Sequence, residues 1–124
     1  EMSFISEPPN LGQYIFSLQT KGYKVVLAHP ERYLFFRDNF QRFESMKEKG
    51  VELQMNLLSL VGYYGKPTQD NAVRLLKTGM IDYLATDLHH SRHADNLERL
   101  LADKKTSRLV AQYVERMKNK TLVD

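Results

Sequence analysis

Apolar stretches of strand length alternate along the chain with amphipathic stretches of helix length. The predicted strands are Lys24 to Ala28, Val51 to Met55 and Met80 to Thr86. Each follows a predicted helix that ends at a glycine, and these glycines are Gly22, Gly50 and Gly79. The strands are almost unbroken in their apolar character, which is typical of strands covered on both faces in a parallel sheet.

The helices are predicted from apolar residues at helical spacing and from residues that can cap a helix. The predicted helix starts are Asn10, Asp38 or Asn39, and Thr68. The region from about 94 to 119 is also predicted to be helical, with a break near residues 105 to 107, and residues 1 to 5 are predicted to form a short strand. Each helix and strand together span roughly 30 residues, the size of a βα unit.

A polar residue follows each of the three predicted strands: His29, Asn56 and Asp87. Parallel strands end at the same edge of a sheet, and ligands of βα folds bind at that carboxyl edge. We therefore expect these three residues to share a site. The repeat of roughly 30 residues does not distinguish an open sheet from a barrel, and three or four strands cannot close a barrel alone.

Composition narrows the class of protein. The chain has 124 residues, 42% of them hydrophobic and 27% charged, with a formal charge of +3, which fits one ordinary globular domain. The basic residues are interspersed with acids, and no apolar run approaches the ~18 residues that span a bilayer. We expect a cytoplasmic protein with no nucleic-acid partner and no membrane insertion. The chain has no cysteine, so any metal must be bound by nitrogen and oxygen ligands.

The candidate metal ligands lie at two strand ends. Asp87 and His89 are two residues apart and point the same way as the strand ends, which places a carboxylate beside an imidazole and suits manganese, iron or zinc. The alternative is a hydrogen-bonded pair at the start of a loop. His29 at a neighbouring strand end favours the metal site. Glu1 could add a carboxylate, although an exposed terminal residue is its alternative role.

Arginines accompany these candidate ligands. Arg32 and Arg92 each lie three residues beyond a histidine, His29 or His89, and a guanidinium beside a metal is suited to bind phosphate or carboxylate. A surface ion pair is the alternative role for each. His90 could act beside the ligands or be a solvated loop residue. No Gly-x-Ser-x-Gly elbow and no cysteine supply a nucleophile, so metal-activated water is the natural alternative.

Three aromatic residues, Tyr33, Tyr63 and Tyr64, lie in the same loops. We expect them to pack in the core or at its rim rather than to line the cleft.

The stretches from Leu27 to Tyr33 and from Ala85 to His90 carry a family resemblance. They read Leu-Ala-His-Pro-Glu-Arg-Tyr and Ala-Thr-Asp-Leu-His-His, and they resemble the bacterial capsular-polysaccharide protein-tyrosine phosphatases of the PHP (polymerase and histidinol phosphatase) superfamily. The resemblance implies a distorted (β/α)7 TIM-like barrel and a cluster of divalent metal ions, often manganese. It also implies hydrolysis of phosphotyrosine on the kinases that control exopolysaccharide assembly.

The resemblance also implies a role for individual residues. Glu1, His29, Asp87 and His89 match the family's metal ligands, and Arg32 matches its phosphate-handling arginine. Arg92 is a looser match, because the family usually has an asparagine after Asp-x-His and a longer gap to its second arginine. Here His90 takes the place of that asparagine. We assign Asn56 and His90 to the surroundings of the metal or to substrate contact.

The family's first half, which opens with a His-x-His pair, has no counterpart before Glu1. We therefore expect a single partial domain over residues 1 to 124, equivalent to the carboxyl-terminal part of the barrel, which is inactive in isolation and associates with itself to cover its open edges. Two alternatives remain. One is another PHP-type phosphoesterase acting on a small phosphate ester, and the other is a non-catalytic interaction domain of the same fold.

Overall fold

Three short parallel strands form the centre of the fold. The computed structural model describes residues 1–89 and 91–122. In this part of the chain, strands β1 (Val26–Ala28), β2 (Glu52–Asn56) and β3 (Tyr83–Ala85) pair in the order β1-β2-β3. Leu27 lies opposite Leu53, and Met55 lies opposite Leu84. The predicted α/β class with parallel strands is confirmed. The three strands do not close into a barrel, so the predicted barrel stays a prediction.

Helices connect and cover these strands. They are α1 (Leu11–Thr20), α2 (Gln41–Glu48), α3 (Lys66–Lys77), α4 (Ser91–Ala102) and α5 (Lys104–Val114). Short 3-10 helices cover Pro30–Arg32, Leu34–Phe36, Leu57–Val61 and Lys118–Leu122. Within the described residues, every helix is too short or too polar to cross a membrane.

Glycine ends α2 and α3 as the sequence predicts. Gly50 and Gly79 have φ angles of 78° and 71°, in the left-handed region that a glycine adopts without the steric cost of a Cβ. The residue after each glycine donates its backbone N–H to a carbonyl of the last helical turn: Val51 to Met46 at 3.0 Å, and Met80 to Leu75 at 3.2 Å. This turn directs the chain from each helix into the next strand.

Several predicted details are wrong. Residues 1 to 5 form no strand; the backbone N–H of Met2 donates to the Tyr33 hydroxyl at 2.9 Å instead of to a neighbouring strand. Helix α3 starts at Lys66 rather than after Thr68, because Gly65 (φ 92°) and the proline that follows Lys66 begin it. The break in the last helical region falls at Asp103, whose side chain accepts a hydrogen bond from the Thr106 N–H at 2.8 Å.

The hydrophobic core lies between the sheet and the helices that follow β1 and β2. Leu53 and Met55 of β2, Phe43 of α2 and Leu75 of α3 are all fully buried, and they belong to one cluster. Full burial of one such side chain contributes roughly 1.5–3 kcal/mol. This core fixes β2 at the middle of the sheet and therefore fixes the positions of both its ends.

The amino end of the sheet carries a network of ion pairs around two buried carboxylates, Glu52 and Asp82, which we call the amino-end network. The Lys118 Nζ lies 2.6 Å from Glu52 Oε1 and 3.0 Å from Asp82 Oδ1. The Tyr83 hydroxyl donates to Glu52 at 2.6 Å, and Lys47 pairs with Asp82. Burial alone would raise the pKa of Glu52, but hydrogen bonds from Lys118, Tyr83 and Lys24 lower it to about 2. Both carboxylates are therefore charged at neutral pH.

Candidate functional site

The carboxyl end of the sheet brings together the polar residues that follow the three strands. His29 comes directly after β1, Asn56 is the last residue of β2, and Asp87 lies two residues after β3. His29 and Asp87 have φ angles of 54° and 49°, an uncommon left-handed conformation for residues other than glycine. Such strain is concentrated in proteins at functional sites, where surrounding structure holds it in place.

Asp87 connects two imidazoles. Its Oδ1 accepts a hydrogen bond from His89 Nε2 at 2.6 Å, and its Oδ2 lies 3.5 Å from His29 Nε2. The Nδ1 of His93 lies 3.1 Å from the backbone oxygen of Asp87 and 3.3 Å from the backbone nitrogen of His89. Helix α4 therefore holds the loop after β3 through His93, a role that the sequence patterns did not predict.

His29 is buried and stays neutral at neutral pH. Burial lowers the pKa of His29, the Asp87 carboxylate opposes that effect, and the Arg32 charge reinforces it. Within the described residues, the buried Nδ1 of His29 has no hydrogen-bond partner. A neutral imidazole has a lone pair that can bind a metal ion.

Arg32 lies between two aromatic rings. Its guanidinium carbon is 4.0 Å from the centre of the Phe4 ring and 4.4 Å from the centre of the Tyr64 ring. The Tyr64 hydroxyl accepts a hydrogen bond from Asn56 Nδ2 at 3.1 Å, so the last residue of β2 holds one of the two rings. Arg32 lies in the 3-10 helix that directly follows His29, and its positive charge contributes to the lowered pKa of His29.

Glu31 is fully buried beneath this surface. Its Oε1 accepts hydrogen bonds from the Asn56 N–H at 3.0 Å and from the Ser59 hydroxyl at 2.7 Å. Asn71 of α3 donates to the Glu31 backbone oxygen at 3.1 Å. Burial raises the pKa of Glu31 to about 7, against the opposing effect of the Ser59 hydrogen bond. Glu31 thus ties the loop after β1 to the end of β2.

The remaining predicted site residues are less closely associated. Glu1 is exposed, yet its charge raises the pKa of His29. Arg92 is exposed on the first turn of α4, and no contact connects its side chain to Asp87 in the described structure. His90 lies outside the described residues.

The donor atoms suit a metal ion, but the described residues assemble only part of a site. Two imidazoles and one carboxylate are ligands that manganese, iron and zinc accept, and the unpaired Nδ1 of His29 leaves a buried donor atom available. Among residues 1–89 and 91–122, however, no three histidine, aspartate or glutamate side chains are arranged to hold one ion. His29, Asp87 and His89 fit a metal site as a subset of its ligands.

Sequence reasoning missed Glu31, Ser59, Asn71 and Tyr64. Glu31 lies inside the His-Pro-Glu-Arg-Tyr string, but its complete burial depends on Ser59 and Asn71, which are 28 and 40 residues away. Tyr64 was expected to pack at the rim, and its contact with Arg32 depends on the turn that follows Leu57–Val61. No local signal predicts either arrangement, because both join segments distant in sequence.

The chain is similar in sequence to a known family and to two of its members. The family described as "Capsular polysaccharide synthesis, CpsB/CapC" matches residues 1–121. The tyrosine-protein phosphatase YwqE of Bacillus subtilis is 36% identical over 90 residues, which cover 73% of this chain and 35% of YwqE. The protein CapC of Staphylococcus aureus is 26% identical over 117 residues, which cover 94% of this chain and 46% of CapC.

A solved structure shares the fold. It belongs to the crystal structures of YwqE from Bacillus subtilis and CpsB from Streptococcus pneumoniae, described as metal-dependent tyrosine phosphatases. It superposes with a TM-score of 0.70 at 31% identity, over 91% of this chain and 47% of the solved chain. The chain thus spans about half, or less, of the length of these relatives.

Proposed function

Because the chain belongs to the CpsB/CapC family of capsular polysaccharide synthesis, we propose that it provides one part of a metal-dependent protein-tyrosine phosphatase. The observation that carries this proposal is the meeting of His29, Asp87 and His89 at the carboxyl edge of the sheet. Arg32 ends the 3-10 helix that directly follows His29. The reaction would be hydrolysis of a phosphate monoester, with phosphotyrosine in a protein as substrate.

The fold proposed for the whole enzyme is a PHP-type barrel. Three parallel strands with helices between them are the repeating unit of such a barrel, and the chain spans 47% of the matched solved chain. Residues 1 to 124 would then be a single partial domain, completed by strands from the rest of that fold. This proposal is supported by the exposure of Val26 in the edge strand β1.

The metal would be held by His29, Asp87 and His89, and Glu1 would join them as a further carboxylate. When bound, divalent manganese, or iron or zinc, supplies a Lewis acid and activates water. The protein's own contribution is to hold the ligands. The Asp87 carboxylate accepts a hydrogen bond from His89 at 2.6 Å. Burial lowers the pKa of His29, which keeps its imidazole neutral and able to bind a metal ion.

Arg32 would bind the phosphoryl oxygens and stabilise the negative charge that they carry in the transition state. Arg92, on the first turn of α4, would contribute a second positive charge toward the substrate. Asn56 would orient Tyr64 through its side-chain hydrogen bond, and His90 is proposed to contact the substrate.

The proposed partner is a phosphotyrosine protein, in particular a tyrosine kinase of polysaccharide assembly, encountered in the cytoplasm. The name of YwqE as a tyrosine-protein phosphatase supports the substrate class. Association between copies of the chain is proposed where the open edge of β1 would otherwise face water.

A second candidate function is favoured by one observation. The described residues bring no three ligands together around one point, which is what a non-catalytic interaction domain of the same fold would show. Metal content separates the two functions.

The test compares this chain alone with a chimera that joins it to the complementary segment of YwqE. We expect the chimera to bind manganese and to hydrolyse a phosphotyrosine peptide, and the single chain to be at least about a hundredfold less active, because positioning of several groups contributes this much to catalysis. His29→Ala in the chimera should abolish both properties. Metal binding without hydrolysis of the peptide, but with hydrolysis of a small phosphate ester, would instead indicate another phosphoesterase. Absence of metal in a folded chimera would indicate the interaction domain.

A further inference from the structure

The faces of two aromatic rings lie against the Arg32 guanidinium. Phe4 and Tyr64 lie 4.0 and 4.4 Å from the guanidinium carbon. A cation over the face of an aromatic ring is attracted by the ring quadrupole, and the effect grows where water is excluded. All three residues are partly buried. We name this arrangement the aromatic clamp: Phe4, Arg32 and Tyr64.

Each ring of the clamp is itself fixed. Phe4 stacks on the fully buried Tyr33 with ring centres 5.3 Å apart and 26° between the ring planes. Tyr64 accepts the side-chain hydrogen bond of Asn56 and contacts the edge of Tyr63, with ring centres 4.9 Å apart. Neither ring can turn away from Arg32 without the loss of these contacts.

The edge of the guanidinium is left available. A guanidinium has five N–H donors in its plane, and within residues 1–89 and 91–122 the Arg32 side chain makes no hydrogen bond and no salt bridge. The adjacent carboxylate of Glu31 is fully buried, and its Oε1 already accepts from Asn56 and Ser59. A carboxylate partner would occupy the donor edge, whereas ring faces do not.

We propose that Phe4 and Tyr64 are positioning residues that fix Arg32 with its donor edge free to bind a phosphoryl group. The inference rests on the proposed function, because it assumes that Arg32 meets phosphate. It adds the reason that Arg32 can do so, since an arginine already ordered by ring stacking loses less side-chain entropy on binding an anion.

The experiment observes the Arg32 side-chain N–H signals of this chain by NMR. Tyr64→Leu removes the ring, whereas Tyr64→Phe keeps the ring and its contact with Tyr63 and removes only the hydroxyl that accepts from Asn56. Phe4→Leu tests the second ring, and Tyr14→Leu, an exposed residue of α1, controls for the loss of an aromatic elsewhere. Inorganic phosphate is titrated into each variant at constant ionic strength, and the backbone spectrum reports whether each variant is folded.

We expect the ring-current shift of the Arg32 signals to be retained in Tyr64→Phe and reduced in Tyr64→Leu and Phe4→Leu. The phosphate dissociation constant read from Arg32 should rise about threefold to fivefold in the two leucine variants, because an arginine released from the rings loses more side-chain entropy when it binds the anion. In Tyr14→Leu it should change by less than about twofold. In Tyr64→Phe, which keeps the ring and loses the hydrogen bond from Asn56, it should rise less than in Tyr64→Leu.

Two results would overturn the inference. One is equal behaviour of Tyr64→Phe and Tyr64→Leu, both folded, because the ring would then have no role. The other is a wild-type Arg32 signal with the ring-current shift that does not respond to phosphate. Failure of the proposed function is recognised separately, since the chimera would then bind no manganese while the Arg32 shift and its phosphate response persist.

Discussion

The two ends of one small sheet use similar residues in opposite ways. At the amino end, Asp82 is buried and accepts hydrogen bonds or ion pairs from the Leu53 N–H, Lys47 and Lys118. At the carboxyl end, five residues further along the chain, Asp87 is partly exposed and has a φ of 49°. Within the described part of the chain, its carboxylate pairs only with His29 and His89. An aspartate is thus paired with an N–H group and two lysines at one end of the sheet, whereas at the other end an aspartate has a strained backbone and pairs with histidines.

Orphaned polar atoms follow the same division. Within the described residues, the buried side-chain atoms without a hydrogen-bond partner are Nδ1 of His29, Oε2 of Glu31 and Oδ1 of Asn71. None of them belongs to the amino-end network. In βα folds the amino end commonly serves stability and the carboxyl end serves binding, and this sheet shows the physical difference, since one end satisfies its polar groups and the other leaves donor atoms available.

The largest expected effect is at the amino end. Asp82→Ala should lower the free energy of unfolding by about 3 kcal/mol, because it leaves the buried Leu53 N–H without its acceptor and removes the shared partner of Lys47 and Lys118. Urea unfolding followed by circular dichroism measures this change. The matched variant Asp82→Asn keeps an acceptor for Leu53 and should lose less. A loss below about 1 kcal/mol for Asp82→Ala would show that the network contributes little.

Glu31 provides a pH-dependent test of the carboxyl end. Its pKa is raised by burial to about 7, from 4.5 in the unfolded chain. Its contribution to stability is therefore fully present below about pH 4.5 and is lost as the pH rises through 7, by at most about 3 kcal/mol. Glu31→Gln removes this titration, so the variant should be less sensitive to pH between 4.5 and 7 and more stable than the wild type at pH 8.

Urea unfolding of the wild type and of Glu31→Gln at several pH values between 4 and 8 measures this effect. Glu44→Gln on the exposed surface of α2 serves as the control, and its pH dependence should follow that of the wild type. Parallel curves for the wild type and Glu31→Gln across this range would contradict the burial effect.

Glu52 should respond to pH in the opposite direction. Its pKa is lowered to about 2 in the folded protein, so the stability that it contributes is present above about pH 4.5 and is lost as the pH falls towards 2. The loss should amount to about 2 kcal/mol, since Lys118, although paired, is about half exposed and its attraction is screened. Glu52→Gln should flatten the acid part of the stability curve below pH 4.5 and leave the part between pH 5 and 8 unchanged. A wild-type curve that is flat below pH 4.5 would contradict it.

The carboxyl end was largely predictable from sequence, and the amino end was not. The sequence pattern predicts that His29, Asn56 and Asp87 share a site, because each follows an apolar run and parallel strands end at the same edge of a sheet. The amino-end network depends on pairs such as Lys118 with Glu52, which are 66 residues apart. The local sequence around Lys118 predicts an exposed helix and does not indicate which carboxylate the lysine contacts.

Errors in predicted boundaries have a similar cause. The strand expected at residues 1 to 5 has alternating apolar residues. The Met2 N–H, however, donates to the Tyr33 hydroxyl instead of to a carbonyl of a neighbouring strand. The burial of Glu31 was missed because charged residues are buried only where partners exist, and its partners come from β2, Leu57–Val61 and α3. Local pattern predicts elements, while tertiary contact decides which charges they bury.

The smallest expected effect completes the comparison with Asp82. Asp87→Gly removes a side chain whose backbone has a left-handed φ, so the folded state loses strain of about 1 kcal/mol while it also loses the contacts with His29 and His89. We expect the free energy of unfolding to stay within about 1 kcal/mol of the wild type. In the chimera, manganese binding should fall at least about tenfold, because the proposed carboxylate ligand is removed.

Asp87→Asn is the matched variant, since asparagine tolerates the left-handed region and keeps the shape of the side chain. It should leave stability unchanged and reduce manganese affinity as Asp87→Gly does. A loss of 2 kcal/mol or more in both variants would mean that Asp87 stabilises the fold as Asp82 does. Stability near that of the wild type, with metal affinity lost, would mean instead that the carboxyl end keeps a strained and incompletely paired carboxylate because a ligand, rather than the fold, requires it.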